Sequence, residues 1–265
     1  MDQNPSSLRK PAVAGMFYPS EAKELHRLVQ HYLNQADQQG PVPKAIIAPH
    51  AGYIYSGAIA ASAYARIVAA HDRIKRVVLL GPAHRVSFYG IAASSATSFA
   101  TPLGAIPIDK VTIRRLTALP QVHILDEAHA NEHSLEVHLP FLQETIDDFA
   151  LVPLVAGIAN PEEVSEVLEM VWGGTETLIV ISSDLSHYHD YDTAKRLDSA
   201  TSRAIEALQP EAIQYESACG RVPVNGLLTL AKKLGLQAHT IDLRNSGDTA
   251  GPRDQVVGYG AYAFN

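Results

Sequence analysis

Three histidine-bearing turns follow three separate apolar runs in this chain: Ala-Pro-His50-Ala-Gly after residues 44–48, Gly-Pro-Ala-His84 after 76–80, and Ser-Ser-Asp184-Leu-Ser-His187 after 178–181. Imidazole is the commonest protein ligand for transition metals, and it also works as an acid or base near neutral pH. In a parallel α/β sheet the carboxyl ends of the strands form the crevice where ligands bind, so histidines placed just past strand ends converge although far apart in sequence. The pattern predicts a metal site.

Two histidines on one face of an Fe(II) ion call for a third, anionic ligand. Asp184, Glu132, Glu136 and Cys219 are the candidates. Cys219 precedes Gly220-Arg221 at an expected helix start, where the helix dipole favours a thiolate; a small buried hydrophobe is its other reading. Two imidazoles and a thiolate hold Fe(II), copper or zinc, so ligand type alone does not name the ion. Glu132-His133-Ser134-Leu135-Glu136-Val137-His138 adds a cluster whose one-turn spacings suit groups that orient ligands and move protons. His187, three positions from Asp184, supplies a further acid or base. His26, His31, His71, His123, His129 and His239 belong to the surface background.

The elements that must position these groups alternate. Helical spacing runs from Glu21 to Gln35 with Ser20 as N-cap, and residues 45–48 read as a strand buried on both faces. A crossover helix over 56–70 leads to a strand at 76–80, which would put the strands before His50 and His84 side by side. Short strands near 90–94 and 105–108 and a helix over 109–119 suggest an insertion or sheet edge. Asn131 caps an expected helix through Leu139, with Pro140 breaking or kinking it. Strands at 151–156 and 177–181, helices at 161–171 and 192–208, and closing strands at 237–243 and 255–263 complete the series. This alternation implies a single α/β domain, residues 1–265, with a mostly parallel central sheet covered by helices on both faces.

Composition narrows the function. At 46% hydrophobic and 18% charged, 265 residues can bury one large core. A net charge of -7 without any basic run argues against nucleic acid. The N-terminus lacks a signal-peptide core and no apolar stretch approaches ~20 residues, so a cytoplasmic protein with no membrane partner is expected. One cysteine excludes an internal disulfide. Neither a phosphate-binding Gly-x-x-x-x-Gly-Lys loop, a dinucleotide Gly-x-Gly-x-x-Gly turn nor His-Glu-x-x-His is present.

Six ordered motifs then carry a family resemblance: Ala14-Gly15-Met16-Phe17-Tyr18, Ile47-Ala48-Pro49-His50-Ala51-Gly52-Tyr53, Gly81-Pro82-Ala83-His84, Glu132 through Pro140, Ser182 through His187, and Cys219-Gly220-Arg221. The chain resembles the Memo family, whose prokaryotic members are called AmmeMemoRadiSam system protein B. The resemblance implies a fold like that of class III extradiol ring-cleaving dioxygenases. It implies a metal held by His50, His84 and Cys219, cysteine replacing the dioxygenase glutamate. His133, His187 and Asp184 would surround the ion as catalytic groups, and Phe17, Tyr53, Glu136, His138 and Arg221 would line the cavity. Phe17 stands where some relatives carry tryptophan, and Val222 where some carry histidine. The function so implied is a cytoplasmic redox protein dependent on Fe(II) or copper, with a dioxygenase-like site. One alternative is a non-catalytic adaptor for an anionic or phosphorylated peptide, and another is a zinc hydrolase. A radical SAM protein and its AmmeMemoRadiSam component are the implied partners.

Overall fold

Four apolar runs, Ala45–Ala48, Arg76–Pro82, Ala150–Ala156 and Thr177–Ser182, are buried almost end to end and pair in parallel at the centre of one sheet. Strands covered on both faces have no polar side to show, which is why they lack alternation. The computed structural model describes residues 7–265; residues 1–6 of the expected 1–265 domain lie outside the described residues.

In chain order the elements are β1 (Leu8–Arg9), α1 (Ala22–Gln35), β2 (Ala45–Ala48), α2 (Tyr53–Tyr64), β3 (Arg76–Pro82), β4 (Ile91–Ala93), β5 (Ser98–Thr101), β6 (Gly104–Pro107), α3 (Lys110–Leu116), β7 (Val122–Ile124) and α4 (Glu127–Ala130). Then come α5 (Leu139–Thr145), β8 (Ala150–Ala156), α6 (Pro161–Val171), β9 (Thr177–Ser182), β10 (His187–His189), α7 (Tyr191–Glu206), α8 (Arg221–Leu234), β11 (Ala238–Asn245) and β12 (Val256–Phe264). The large sheet runs β10-β12-β2-β9-β3-β8-β4-β7, with β11 also on β12, and β1-β5-β6 form a small second sheet. Helices α1, α2 and α5 pack together as one group and α6 packs on α8 as another. The architecture is the expected α/β class, with parallel pairing concentrated in β2-β9-β3-β8 and antiparallel strands β4 and β12 flanking them.

Three local expectations are corrected. Strands β2 and β3 are not neighbours: the crossover through α2 skips a position, and β9 fills the slot with six buried residues. The turn after β9 therefore lies between the His50 and His84 turns. The helix expected from Asn131 does not form; residues 131–135 are turn, followed by a 3-10 turn Glu136–His138 and then α5, with Pro140 in its first turn. The Glu132 side chain takes the N–H groups of His133 and Ser134, both at 2.9 Å, and a side chain so engaged competes with helical bonding. Helix α1 is capped by Glu21, which accepts the Glu24 N–H, rather than by Ser20.

The segment before α1 is stapled across the strand exits by a second acid. Glu136 is fully buried, pairs with the Arg9 guanidinium, and accepts the N–H of Ala12 at 2.7 Å, the N–H of Val13 at 2.9 Å and the Tyr18 hydroxyl at 2.6 Å. Removing one side of a buried ion pair leaves the other charge unsolvated. Glu136→Ala is expected to destabilise the fold by about 3–5 kcal/mol in urea unfolding; a loss below about 1 kcal/mol would show that the staple carries no weight.

Candidate metal centre

The ligand atoms of His50, His84 and His133 all lie within 4.8 Å of one another. His50 enters from the turn after β2, His84 from the turn after β3, and His133 from the irregular turn before α5. The His84 and His133 rings are stacked with centroids 4.7 Å apart, and the His50 ring stands edge-on to both at 5.1 and 5.6 Å.

Hydrogen bonds set which nitrogen faces inward. The Ser182 hydroxyl donates to the Ser134 carbonyl at 2.6 Å, so it accepts from His50 Nδ1–H, also at 2.6 Å. That leaves the His50 Nε2 lone pair free. His84 Nδ1 lies 2.9 Å from Glu132 Oε1, the carboxylate–histidine pairing that metal-binding imidazoles commonly make, and the His84 N–H donates to Glu132 Oε2 at 2.6 Å. His133 Nδ1 is 3.4 Å from the same Oε1 and has no hydrogen-bond partner.

Electrostatics favour the metal-binding forms. Burial holds His50 well below its ordinary value, with the neighbouring His84 and His133 adding to the shift, and burial lowers His133 to about 4 although Glu132 pulls the other way. Both imidazoles are neutral near pH 7, as coordination requires. For Glu132, burial pushes upward, but hydrogen bonds from the His84 ring and the backbone outweigh it and hold the carboxyl at about 2.

Cys219 Sγ lies 3.3 Å from His50 Nε2, and Asp184 Oδ2 lies 3.9 Å from the same atom. Two donors about 2.0 and 2.3 Å from a shared ion stand roughly 3–3.6 Å apart, a spacing the Cys219–His50 contact shares with an ordinary sulfur hydrogen bond, and the residue grouped with both His50 and His84 is His133 rather than Cys219. Gly220 allows this approach: a Cβ there would sit 2.5 Å from the Ser182 carbonyl. The protein's own groups do not supply the expected thiolate stabilisation. Burial and the Asp184 carboxylate raise the thiol, while the Arg221 guanidinium lies 5.5 Å over the Tyr215 ring. Asp184 accepts the His50 N–H at 2.8 Å and its own N–H donates to Cys219 Sγ at 3.3 Å; burial raises its carboxyl.

The remaining predicted residues divide. The Phe17 ring packs 4.9 Å from that of His133, and His187, half-buried, donates Nδ1–H to the Leu185 carbonyl at 2.8 Å, leaving Nε2 free. Tyr53 is a core residue whose hydroxyl donates to the Val137 carbonyl at 2.6 Å. His138 is buried against the Tyr64 hydroxyl at 2.8 Å, and Glu136 serves the N-terminal staple. The Tyr53 hydroxyl and both Glu136 oxygens are taken up by these bonds, whereas His138 keeps a buried Nε2 with no hydrogen-bond partner among the described residues. Glu132 and Ser182 are the orienting residues that spacing does not single out. Spacing offers Glu132 only as a ligand, yet a carboxylate next to a metal-site histidine is also the usual partner of the ring nitrogen turned away from the ion. A larger cavity, about 1130 Å³, lies elsewhere, among Lys75, Ile106, Glu144 and Phe149.

The fold is α/β with three converging histidines that could hold a metal ion, and comparison with known proteins gives the family. A family model described as Memo-like protein matches residues 9–263. A MEMO1 family protein of Aquifex aeolicus is 38% identical over 263 residues, covering 95% of this chain and 97% of its own. One from Metallosphaera sedula is 31% identical over 280 residues, covering 97% and 99%. The crystal structure of an uncharacterized protein from Escherichia coli K12 superposes with a TM-score of 0.54 at 12% identity, over 83% of this chain and 98% of that one, which shows the shared fold alone. The chain belongs to the Memo family. No helix among the described residues is long and apolar enough to cross a membrane.

The perturbed groups make stability depend on pH. His50, His133, His138 and also His129, which is buried rather than at the surface as expected, are held below 6.5 by burial, so the unfolded chain protonates them first. The raised carboxyls of Asp184 and Asp198 oppose this, two groups against four. Below about pH 6.5 the unfolded chain takes up more protons than the fold, and stability falls with pH. The expected loss in metal-free protein is on the order of 1–3 kcal/mol per unit between about pH 6.5 and 5, measured by urea unfolding. A profile that rises toward pH 5 would contradict the neutral histidines.

Proposed function

We propose that this Memo family chain is a metal-dependent redox protein, its ion held by His50, His84 and a third donor from His133 or Cys219. The observation that carries the reading is the set of three imidazole ligand atoms within 4.8 Å, two of them with tautomers turned inward by Ser182 and Glu132. Neutral imidazoles beside a sulfur suit Fe(II), copper or zinc, and the donor set fits any of these. When bound, a redox-active ion would supply Lewis acidity and a one-electron couple.

The protein's own groups supply the rest. His187, with Nδ1 tied to a carbonyl, offers Nε2 to take a proton, and Asp184, with its raised carboxyl, is suited to hold one near neutral pH. The Phe17 ring packs against that of His133 with centroids 4.9 Å apart. A second reading, an adaptor for an anionic or phosphorylated peptide, is favoured by Arg85 and Arg221. Each lies next to or two residues from a site residue, and neither has a carboxylate within ion-pair distance among the described residues.

Protein purified without oxygen should carry close to one iron or copper by elemental analysis, and chemical oxidation should bring up the paramagnetic resonance signal of Fe(III) or Cu(II). His84→Ala should abolish this, and Glu132→Gln should weaken affinity about 10–100-fold by releasing the His84 ring. Comparing His133→Ala with Cys219→Ser identifies the third donor as the variant that loses metal. Full occupancy in His84→Ala would end the reading. Zinc with hydrolytic turnover would favour a hydrolase, and metal far below one per chain with tight phosphopeptide binding the adaptor.

A further inference from the structure

The cavity of about 1130 Å³ lies where β3 and β8 begin, at the end of the sheet opposite to the strand exits that carry the histidines. Small-molecule sites usually measure about 300–1,000 Å³, so the space suits a larger occupant. Its floor is apolar, with Ile106 and Ile146 buried and Leu103 and Phe149 half-buried. One wall is β6, whose Ala105 and Pro107 are exposed and line the cavity.

Strand β6 is an edge, with β5 as its one strand neighbour among the described residues. Opposed residues of an antiparallel pair alternate between those that exchange backbone hydrogen bonds and those that do not. The Ile108 N–H donates to the Thr97 carbonyl at 3.0 Å, and a two-residue turn joins Thr101 to Gly104, so the bonded pairs are Phe99 with Ile106 and Thr101 with Gly104. Ala105 therefore turns its N–H and carbonyl away from β5, and Pro107 turns its carbonyl the same way. A free donor and two free acceptors on alternate residues are what an added strand pairs with. Pro107 has no N–H to offer, which keeps such pairing short.

Charge narrows the occupant further. Lys23 and Arg27 on α1 and Lys75 before β3 line the cavity, and none has a carboxylate within ion-pair distance among the described residues. Of the three acids that line it, Glu144 is engaged by the His26 ring at 2.8 Å and the Gln30 amide at 2.7 Å, and Asp147 by the His71 ring at 2.9 Å, which leaves Asp148. Three free cations face one free acid, on a chain whose net charge is -7. We infer that this cavity is a docking groove for an extended acidic peptide segment of another protein, which adds as a strand to β6 at Ala105. Its apolar side chains would cover the floor, and its carboxylates would meet Lys23, Arg27 and Lys75. The groove is separate from the metal centre and does not depend on it.

The test is selection of a phage-displayed random heptapeptide library on the purified full chain, with the selected peptides then synthesised for calorimetry. They should bind one-to-one at about 100 μM or tighter, carry Asp or Glu beside apolar residues, and slow hydrogen exchange of the Ala105 amide followed by NMR. Methylating the peptide nitrogen that pairs with β6 should weaken binding about tenfold. The double variant Lys23→Glu, Arg27→Glu, at two exposed positions, should weaken it by at least as much with unchanged circular dichroism. His84→Ala should bind the peptides as the parent chain does. The inference is overturned if no peptide binds more tightly than about 1 mM, if the double variant binds equally well, or if the Ala105 amide exchanges as fast as before. Loss of binding in His84→Ala would place the peptide in the metal cleft and overturn it as well.

Discussion

The buried carboxylate of Glu132 is the constraint on which the metal centre depends. It accepts four N–H groups: the backbone and ring of His84 and the backbones of His133 and Ser134. Taking a charge out of water costs several kcal/mol, and charge-assisted hydrogen bonds offset that only when nearly every lone pair is used. Here they are used, and the result joins the turn after β3 to the turn before α5. That junction, with the Ser134 hydroxyl donating to the Pro82 carbonyl at 2.8 Å, holds His133 in register with His84 although Glu132 and His84 are 48 residues apart in sequence.

Glu136, one helical turn further along, performs a parallel task for a different segment. It gathers Arg9, Ala12, Val13 and Tyr18, so the lead-in to α1 lies across the strand exits. The Phe17 carbonyl in that lead-in accepts the Tyr53 N–H at 2.8 Å, at the start of α2, and the Phe17 ring meets His133. The two acids thus divide the site between them. One orients the imidazoles from within, and the other holds the covering segment from outside.

How much of this is legible in the sequence follows from what leaves a local mark. The central strands do, because a segment buried on both faces must be apolar throughout, and the Pro and Gly that close it show where the exit begins. His50 and His84 can be placed on that basis. Sheet order leaves no such mark: nothing in residues 45–48 or 76–82 shows that β9 passes between them. The 131–138 stretch misleads for a physical reason. Its residue types suit a helix, but two of its acids commit their hydrogen-bonding capacity to partners more than 40 and more than 110 residues away. Tertiary bonding of this kind overrides local preference and is invisible to spacing.

The protonated state of Cys219 is informative about the centre as well. Burial and the nearby Asp184 carboxylate both oppose a thiolate, and no cation is turned toward the sulfur among the described residues. A cation arriving beside His50 would reverse both influences at once, because a metal ion is usually the largest local charge in its site. To serve as a ligand the thiol would have to give up its proton for such an ion. The imidazoles of His50 and His133 are neutral as they stand, whereas the sulfur is not a thiolate. That asymmetry separates the two candidates for a third donor: the neutral imidazole of His133 needs no proton loss, and the Cys219 thiol does.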